Sequence, residues 1–132
     1  MDIEILKIAS DTKIHKALDK CTHKSKQKNS ICGDEMEVSI KISKDQVLDF
    51  GYQCKSCIFC QASVSVLSNF SINNKISNIY KAINFFENFF QNDVTIIPKE
   101  FKKFEVLFKK SNLSRKDCIL LPFKALNKAL KS

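Results

Sequence analysis

Two kinds of hydrophobic periodicity follow each other along this chain, and their order limits the fold more than any other feature. Apolar and polar residues alternate from Met36 to Ile42, as in a strand with one face in water. Val47 to Gln53 repeats the pattern after a polar turn at Ser43–Gln46, so the two runs predict an antiparallel hairpin. Beyond Gln61 the apolar residues recur at helical intervals, which indicates helices that pack on this hairpin.

The flanking segments predict further helices. Helical spacing over Ile3 to Leu18 indicates an N-terminal helix, and the polar, lysine-rich stretch Asp19–Ser30 indicates a loop. Two apolar stripes follow the hairpin, one from Ala62 to Phe70 and one from Ile76 to Phe90. Since 132 residues suit one hydrophobic core, we expect a single α+β domain over residues 1–132, a small antiparallel sheet with helices packed on one face.

Two prolines mark the helices of the last third. Pro98 can open a helix at its first turn, and the phenylalanines behind it would face the core. Ser114 and Asp117 approximate a capping box, so Cys118 is expected just after the start of a last helix. Pro122 leaves two alternatives: this helix kinks there, or it begins there and Cys118 sits on a short turn.

The charge and the hydropathy restrict the partners. A formal net charge of +8, from 22 basic and 14 acidic residues, favours an acidic partner. Arginine, whose planar fork recognises base edges, occurs only at position 115, so nucleic acid is not an expected partner. No apolar run approaches the roughly 18 residues that cross a bilayer, and the first residues are acidic. These features predict a cytoplasmic protein that does not enter the membrane.

Six cysteines carry the chemistry of the chain. A reducing compartment disfavours disulfides, so metal binding or sulfur chemistry is expected. Cys54, Cys57 and Cys60 resemble the start of a ferredoxin motif, but its fourth cysteine is missing four residues on. Cys54 and Cys60 are therefore either cluster ligands or small buried side chains beside the real ligand. Cys21 next to His23 is treated as incidental, because a metal needs three or four converging ligands.

Cys32 and Asp34 predict a different site. Side chains two positions apart at the start of a strand project to the same side and can bind one ion. Two further ligands would complete a tetrahedral site, and Cys57 and Cys118 can supply them. Cys118 follows a predicted helix start and lies near Arg115, and both features favour its thiolate.

Three blocks of the sequence resemble the U-type iron-sulfur cluster assembly proteins, the IscU, SufU and NifU N-terminal family. The blocks are Asn29–Met36, Cys57–Ser65 and Arg115–Leu126. Cys57 follows Cys32 by 25 positions and Cys118 follows Cys57 by 61, and the long second interval resembles the SufU branch. Arg115, and Asp117 in the place of the histidine of the IscU branch, favour the same branch.

The resemblance implies a labile metal site of Cys32, Asp34, Cys57 and Cys118 and sulfur received as a persulfide from a cysteine desulfurase of the SufS or IscS type. Cys32 and Cys118 are the candidate sulfur acceptors, and Arg115 is carried over as a site residue. The cofactor is zinc if the chain transfers sulfur as a zinc-dependent sulfurtransferase. It is a 2Fe-2S cluster if the chain is an IscU-like scaffold that serves downstream acceptor proteins. Outside the family, a zinc-stapled basic binding module stays open as an alternative.

Overall fold

The computed structural model describes residues 3–9, 18, 20–29, 33–91 and 96–131. Four α-helices and three strands occur there, together with short 3₁₀ segments. Their order is α1 Ile3–Ala9, β1 His23–Lys28, β2 Glu35–Ser43, β3 Gln46–Lys55, α2 Ile58–Ser71, α3 Ile76–Glu87, the 3₁₀ segments Phe89–Gln91, Lys99–Phe104 and Lys110–Arg115, and α4 Lys116–Leu130. None of the described helices is long and apolar enough to cross a bilayer.

The predicted hairpin is confirmed as strands β2 and β3. Lys44 and Asp45 form its turn with φ of 50° and 62°, the left-handed conformation that a tight two-residue hairpin turn requires. Met36, Val38 and Ile40 are fully buried on the inner face of the sheet, against the helices. The sheet has the order β1-β2-β3 and is antiparallel throughout, so the predicted α+β class is confirmed.

The prediction of a loop over Asp19–Ser30 is wrong for its central part. Residues His23–Lys28 form β1, an edge strand paired antiparallel with β2. The lysines of this strand made the segment look like a polar loop. They lie on the solvated outer face, where the Lys24 ammonium pairs with the Glu37 carboxylate at 3.0 Å. Ser25 points inward instead, is buried, and donates a hydrogen bond to the carbonyl of Ala125 in α4. One inward serine gives no apolar alternation, so the pattern was not visible.

The helices differ from the predictions at their ends. The first helix is confirmed over Ile3–Ala9, Leu18 is not helical, and residues 10–17 lie outside the described residues. Helix α2 begins at Ile58, before Gln61, so Cys60 is part of its first turn. Behind Pro98 the chain forms a 3₁₀ segment with a kink at Phe101 (φ −107°, ψ 15°) in place of an α-helix.

The last helix settles the alternatives for Pro122. Helix α4 runs from Lys116 to Leu130 with Pro122 inside it, so a start at Pro122 is wrong. The predicted capping box is also wrong, because Ser114 belongs to the preceding 3₁₀ segment and the N-cap Arg115 makes no side-chain capping bond. Cys118 does lie just after the helix start, as predicted. Pro122 has no N–H to donate to the Cys118 carbonyl four residues earlier.

A cluster of phenylalanine rings fills the core between α3, the 3₁₀ segments and α4. The Phe86 ring lies at its centre, with centroids 4.1 Å from Phe108, 4.8 Å from Phe104 and 5.8 Å from Phe123. Phe86, Phe104 and Phe123 are fully buried. The long interval between Cys57 and Cys118 therefore builds a second part of the core and places α4 across the sheet.

Candidate metal centre

Asp34, Cys57 and Cys118 meet at one end of the sheet. One ligand atom from each side chain lies within 4.8 Å of the other two. The three residues come from β2's leading loop, the N-cap of α2 and the first turn of α4. Among the described residues, no other group of three or more potential metal ligands converges in this way.

A tight turn places Asp34. The amide of Gly33 donates to the carbonyl of Asn29, and the amide of Asn29 donates to the carbonyl of Asp34, both at 2.8 Å. Gly33 has φ +77°, a conformation that L side chains rarely adopt, although an added Cβ would touch nothing within 4 Å. Glycine is therefore required here for the backbone conformation and not for space. Asp34 is 8% exposed.

The hairpin register brings Cys57 to the same place. Glu35 pairs with Lys55 at the open end of the hairpin. Asp34 is one residue before Glu35 and Cys57 is two residues after Lys55, so both lie at this end. Cys57 is half-buried and is the N-cap of α2. The Gln61 amide donates to its carbonyl at 3.1 Å, and the Gln61 side chain donates to the carbonyl of Ser56 at 3.0 Å. Both bonds fix the short connection from strand to helix.

A buried serine places Cys118. Ser63 of α2 is fully buried, and its hydroxyl donates to the carbonyl of Ile119 at 2.5 Å. This bond ties the first turn of α4 to α2, and Cys118 itself is only 7% exposed. Sequence reasoning missed the role of Ser63, although a serine in the apolar stripe of a helix signals a buried hydrogen bond.

The site is electrostatically suited to anionic ligands that hold a cation. The N-termini of α2 and α4, where the helix dipoles are positive, both lie at it and favour negative charge there. One carboxylate oxygen of Asp34, Oδ2, is buried without a hydrogen-bond partner among the described residues. A buried carboxylate without a partner is costly unless a cation approaches it. Two thiols and this carboxylate fit zinc or iron by ligand type.

Cys54 and Cys60 lie beside this group but do not belong to it. Burial raises the pKa of the Cys54 thiol, and the Asp34 carboxylate adds to the rise, while the neighbouring Ser56 hydroxyl opposes it. Burial raises the pKa of the Cys60 thiol strongly, again opposed by Ser56, with Cys54, Asp34 and Cys57 adding to the rise. Burial therefore favours the protonated thiol at both positions.

Cys21 and Arg115 are among the residues that the structure describes. Cys21 is exposed, and its neighbour His23 contacts the Thr22 hydroxyl through Nδ1 at 2.8 Å. Arg115 is exposed at the N-cap of α4, and its Cζ lies 5.5 Å from the centroid of the Phe59 ring, a contact that the sequence did not suggest. Cys32 lies outside the described residues, directly before Gly33 in the sequence.

Known proteins are similar to this chain over most of its length. A family model of the NifU-like N-terminal domain matches residues 7–110, which include Asp34 and Cys57. The iron-sulfur cluster assembly scaffold protein IscU of Thermotoga maritima is 27% identical over 128 residues, which cover 96% of this chain and 89% of that protein. An uncharacterized protein of Borreliella burgdorferi is 31% identical over 116 residues, 84% of this chain and 77% of that protein.

Solved structures share the fold. The N-terminal part of a nitrogen-fixing NifU-like protein from Brucella abortus superposes with a TM-score of 0.89 at 20% identity, covering 98% of this chain and 91% of that one. A putative iron-sulfur cluster assembly scaffold protein for the SUF system from Fervidobacterium islandicum gives a TM-score of 0.83 at 23% identity, covering 98% and 96%. With a family model that spans well over half of its length, this chain belongs to the NifU-like N-terminal domain family, the U-type proteins that its three cysteine blocks resemble.

Proposed function

We propose that this chain is an iron-sulfur cluster assembly protein of the SufU kind, which accepts persulfide sulfur from a cysteine desulfurase at a labile metal site. The observation that carries the proposal is the convergence of Asp34, Cys57 and Cys118 within 4.8 Å at two helix N-termini. Family membership and the names of the relatives support cluster assembly.

Cys32 is proposed as the fourth ligand. Consecutive Cα atoms are about 3.8 Å apart, so the Cα of Cys32 is within about 7.6 Å of the Cα of Asp34 whatever the loop conformation. Gly33, with its left-handed backbone, and the buried Asp34 are the described residues that follow Cys32 directly in the chain. Zinc held by these four residues would keep their thiols deprotonated, and the carboxylate is the ligand that exchanges most readily.

The proposed sulfur transfer needs no external oxidant or reductant. A thiolate of Cys118 or Cys32 attacks the outer sulfur of the desulfurase persulfide. A new S–S bond forms on this chain, the S–S bond of the donor breaks, and its electron pair leaves with the desulfurase cysteine as a thiolate. Cys118 is buried while Cys57 is half-buried, so the donor would approach from the side of Cys57.

Two features favour the SufU kind over an IscU-like scaffold. The 61-position interval between Cys57 and Cys118 supplies the 3₁₀ segments and the phenylalanine cluster, and Asp117 stands before the last cysteine. The scaffold stays the second candidate because a relative bears that name, and its cargo would be a 2Fe-2S cluster passed to acceptor proteins. In either role the chain would work in the cytoplasm, where its thiols stay reduced.

The decisive experiment measures how the chain stimulates a SufS-type cysteine desulfurase, by the rate of alanine release. We expect Cys32→Ala, Cys57→Ala and Cys118→Ala each to lower the stimulation at least tenfold. Cys21→Ala is the matched control, since Cys21 is exposed and outside the site, and it should stimulate normally. Normal stimulation by all three site variants would show that the assignment is wrong.

Metal content separates the two candidate roles. One tightly bound zinc per chain, with no visible chromophore after anaerobic reconstitution with iron and sulfide, would support sulfur transfer. A stable cluster spectrum that disappears in Cys57→Ala would support the scaffold role instead.

A further inference from the structure

The contact between Arg115 and Phe59 joins the two helix ends that carry the site cysteines. Phe59 lies two positions after Cys57 in the first turn of α2, and Arg115 lies three positions before Cys118 at the N-cap of α4. The distance of 5.5 Å from the guanidinium carbon to the ring centroid is within the range of a cation–π interaction.

Phe59 is suited to hold a cation in this position. Its ring is half-buried and packs against the core, so it is anchored on one side and open on the other. Arg115 is exposed, and an arginine side chain without an anchor would sample many rotamers in water. The ring therefore restricts the guanidinium to the rim of the site, where the two helix N-termini already favour negative charge.

We propose that Phe59 is a positioning residue, which holds the Arg115 guanidinium at the rim of the cysteine site to receive an anionic sulfur donor. This inference rests on the proposed function, because the donor would be the negatively charged persulfide of a partner desulfurase. Arginine suits the task because it stays charged at every relevant pH and stacks well on an aromatic face.

The chain offers variants that separate the ring's π face from its bulk. Phe59→Leu keeps an apolar side chain but removes the face, whereas Phe59→Tyr keeps the face. Arg115→Gln removes the charge itself. Phe90→Leu is the matched control. Phe90 is another half-buried phenylalanine that packs on the core, and its ring contacts Phe89 and Phe108.

The first measurement is the chain concentration that gives half-maximal desulfurase stimulation. We expect Phe59→Leu to raise it about two- to fivefold, the effect of losing an exposed cation–π contact. Arg115→Gln should raise it at least as much, and the double variant should be no worse than Arg115→Gln alone. Phe59→Tyr should restore the wild-type value. A wild-type value for Phe59→Leu, or additive effects in the double variant, would overturn the inference.

The second measurement does not depend on the desulfurase. The full chain, freed of metal with a chelator, reacts with anionic iodoacetate and with neutral iodoacetamide, and mass spectrometry follows Cys57 and Cys118. We expect the rate with iodoacetate, divided by the rate with iodoacetamide, to fall in Arg115→Gln and Phe59→Leu. This ratio should stay unchanged in Phe59→Tyr and Phe90→Leu. An unchanged ratio in Phe59→Leu refutes the positioning role. A wild-type chain that shows the expected ratios but never stimulates a desulfurase refutes the proposed function alone.

Discussion

Replacing Ser63 with alanine tests how the fold brings Cys118 to the metal centre. The hydroxyl of Ser63 is fully buried and donates to the Ile119 carbonyl at 2.5 Å, so Ser63→Ala removes the bond that ties the start of α4 to α2. A buried hydrogen bond of this kind stabilises a protein by about 1 to 2 kcal/mol. At about 2.1 cal/mol/K of unfolding entropy per residue, 132 residues convert this loss into a Tm lower by about 4 to 7 °C.

The effect on the metal should be larger than the effect on stability suggests. Loosening the first turn of α4 lets Cys118 move away from Asp34 and Cys57, and losing such a supporting contact typically weakens metal affinity about 10- to 100-fold. Competition with a zinc chelator of known affinity measures this change, and thermal unfolding of the metal-free chain measures the stability.

Ser68→Ala is the matched control for this prediction. Ser68 is also buried in α2, but its hydroxyl donates at 2.9 Å to the Ser65 carbonyl of the same helix. We expect a similar loss of Tm with zinc affinity unchanged. Equal weakening of zinc binding in Ser63→Ala and Ser68→Ala would refute the idea that the bond between α2 and α4 positions Cys118.

Two more substitutions test the neighbourhood of the site. Gly33→Ala should lower the free energy of unfolding by about 1 to 2 kcal/mol, because alanine is strained at φ +77°, and it should weaken zinc binding; Gly33→Asn, which tolerates this conformation, should lose less in both measurements. Cys60→Ala removes a fully buried sulfur and should lower the free energy of unfolding by about 1 to 2 kcal/mol in denaturant titrations. It should nevertheless leave the bound metal per chain unchanged, whereas a ferredoxin-like cluster would be lost.

Local patterns predicted those parts of the fold where the buried face is apolar. The alternation around Val38 and the stripe through Ile79 and Ile83 follow directly from burial on one side, and both are confirmed. The edge strand β1 was missed because its one fully buried side chain is Ser25, which is held by a hydrogen bond and not by apolar contact. The 3₁₀ segment after Pro98 was mistaken for an α-helix because its phenylalanines face the core at similar spacing.

Residue types and their spacing along the chain were enough to identify the residues that could form the site. Cysteine thiolates bind soft metals and carry sulfur, and aspartate adds a hard oxygen ligand. The family resemblance then pointed to Cys32, Asp34, Cys57 and Cys118. The fold brings three of them together, Asp34, Cys57 and Cys118, and it buries Cys54 and Cys60 beside them, which raises the pKa of both thiols. Local sequence patterns do not show these arrangements, because they depend on contacts between segments far apart in sequence. Examples are the pairing of β2 with β3, the hydrogen bond from Ser63 to Ile119 and the contact between Phe59 and Arg115.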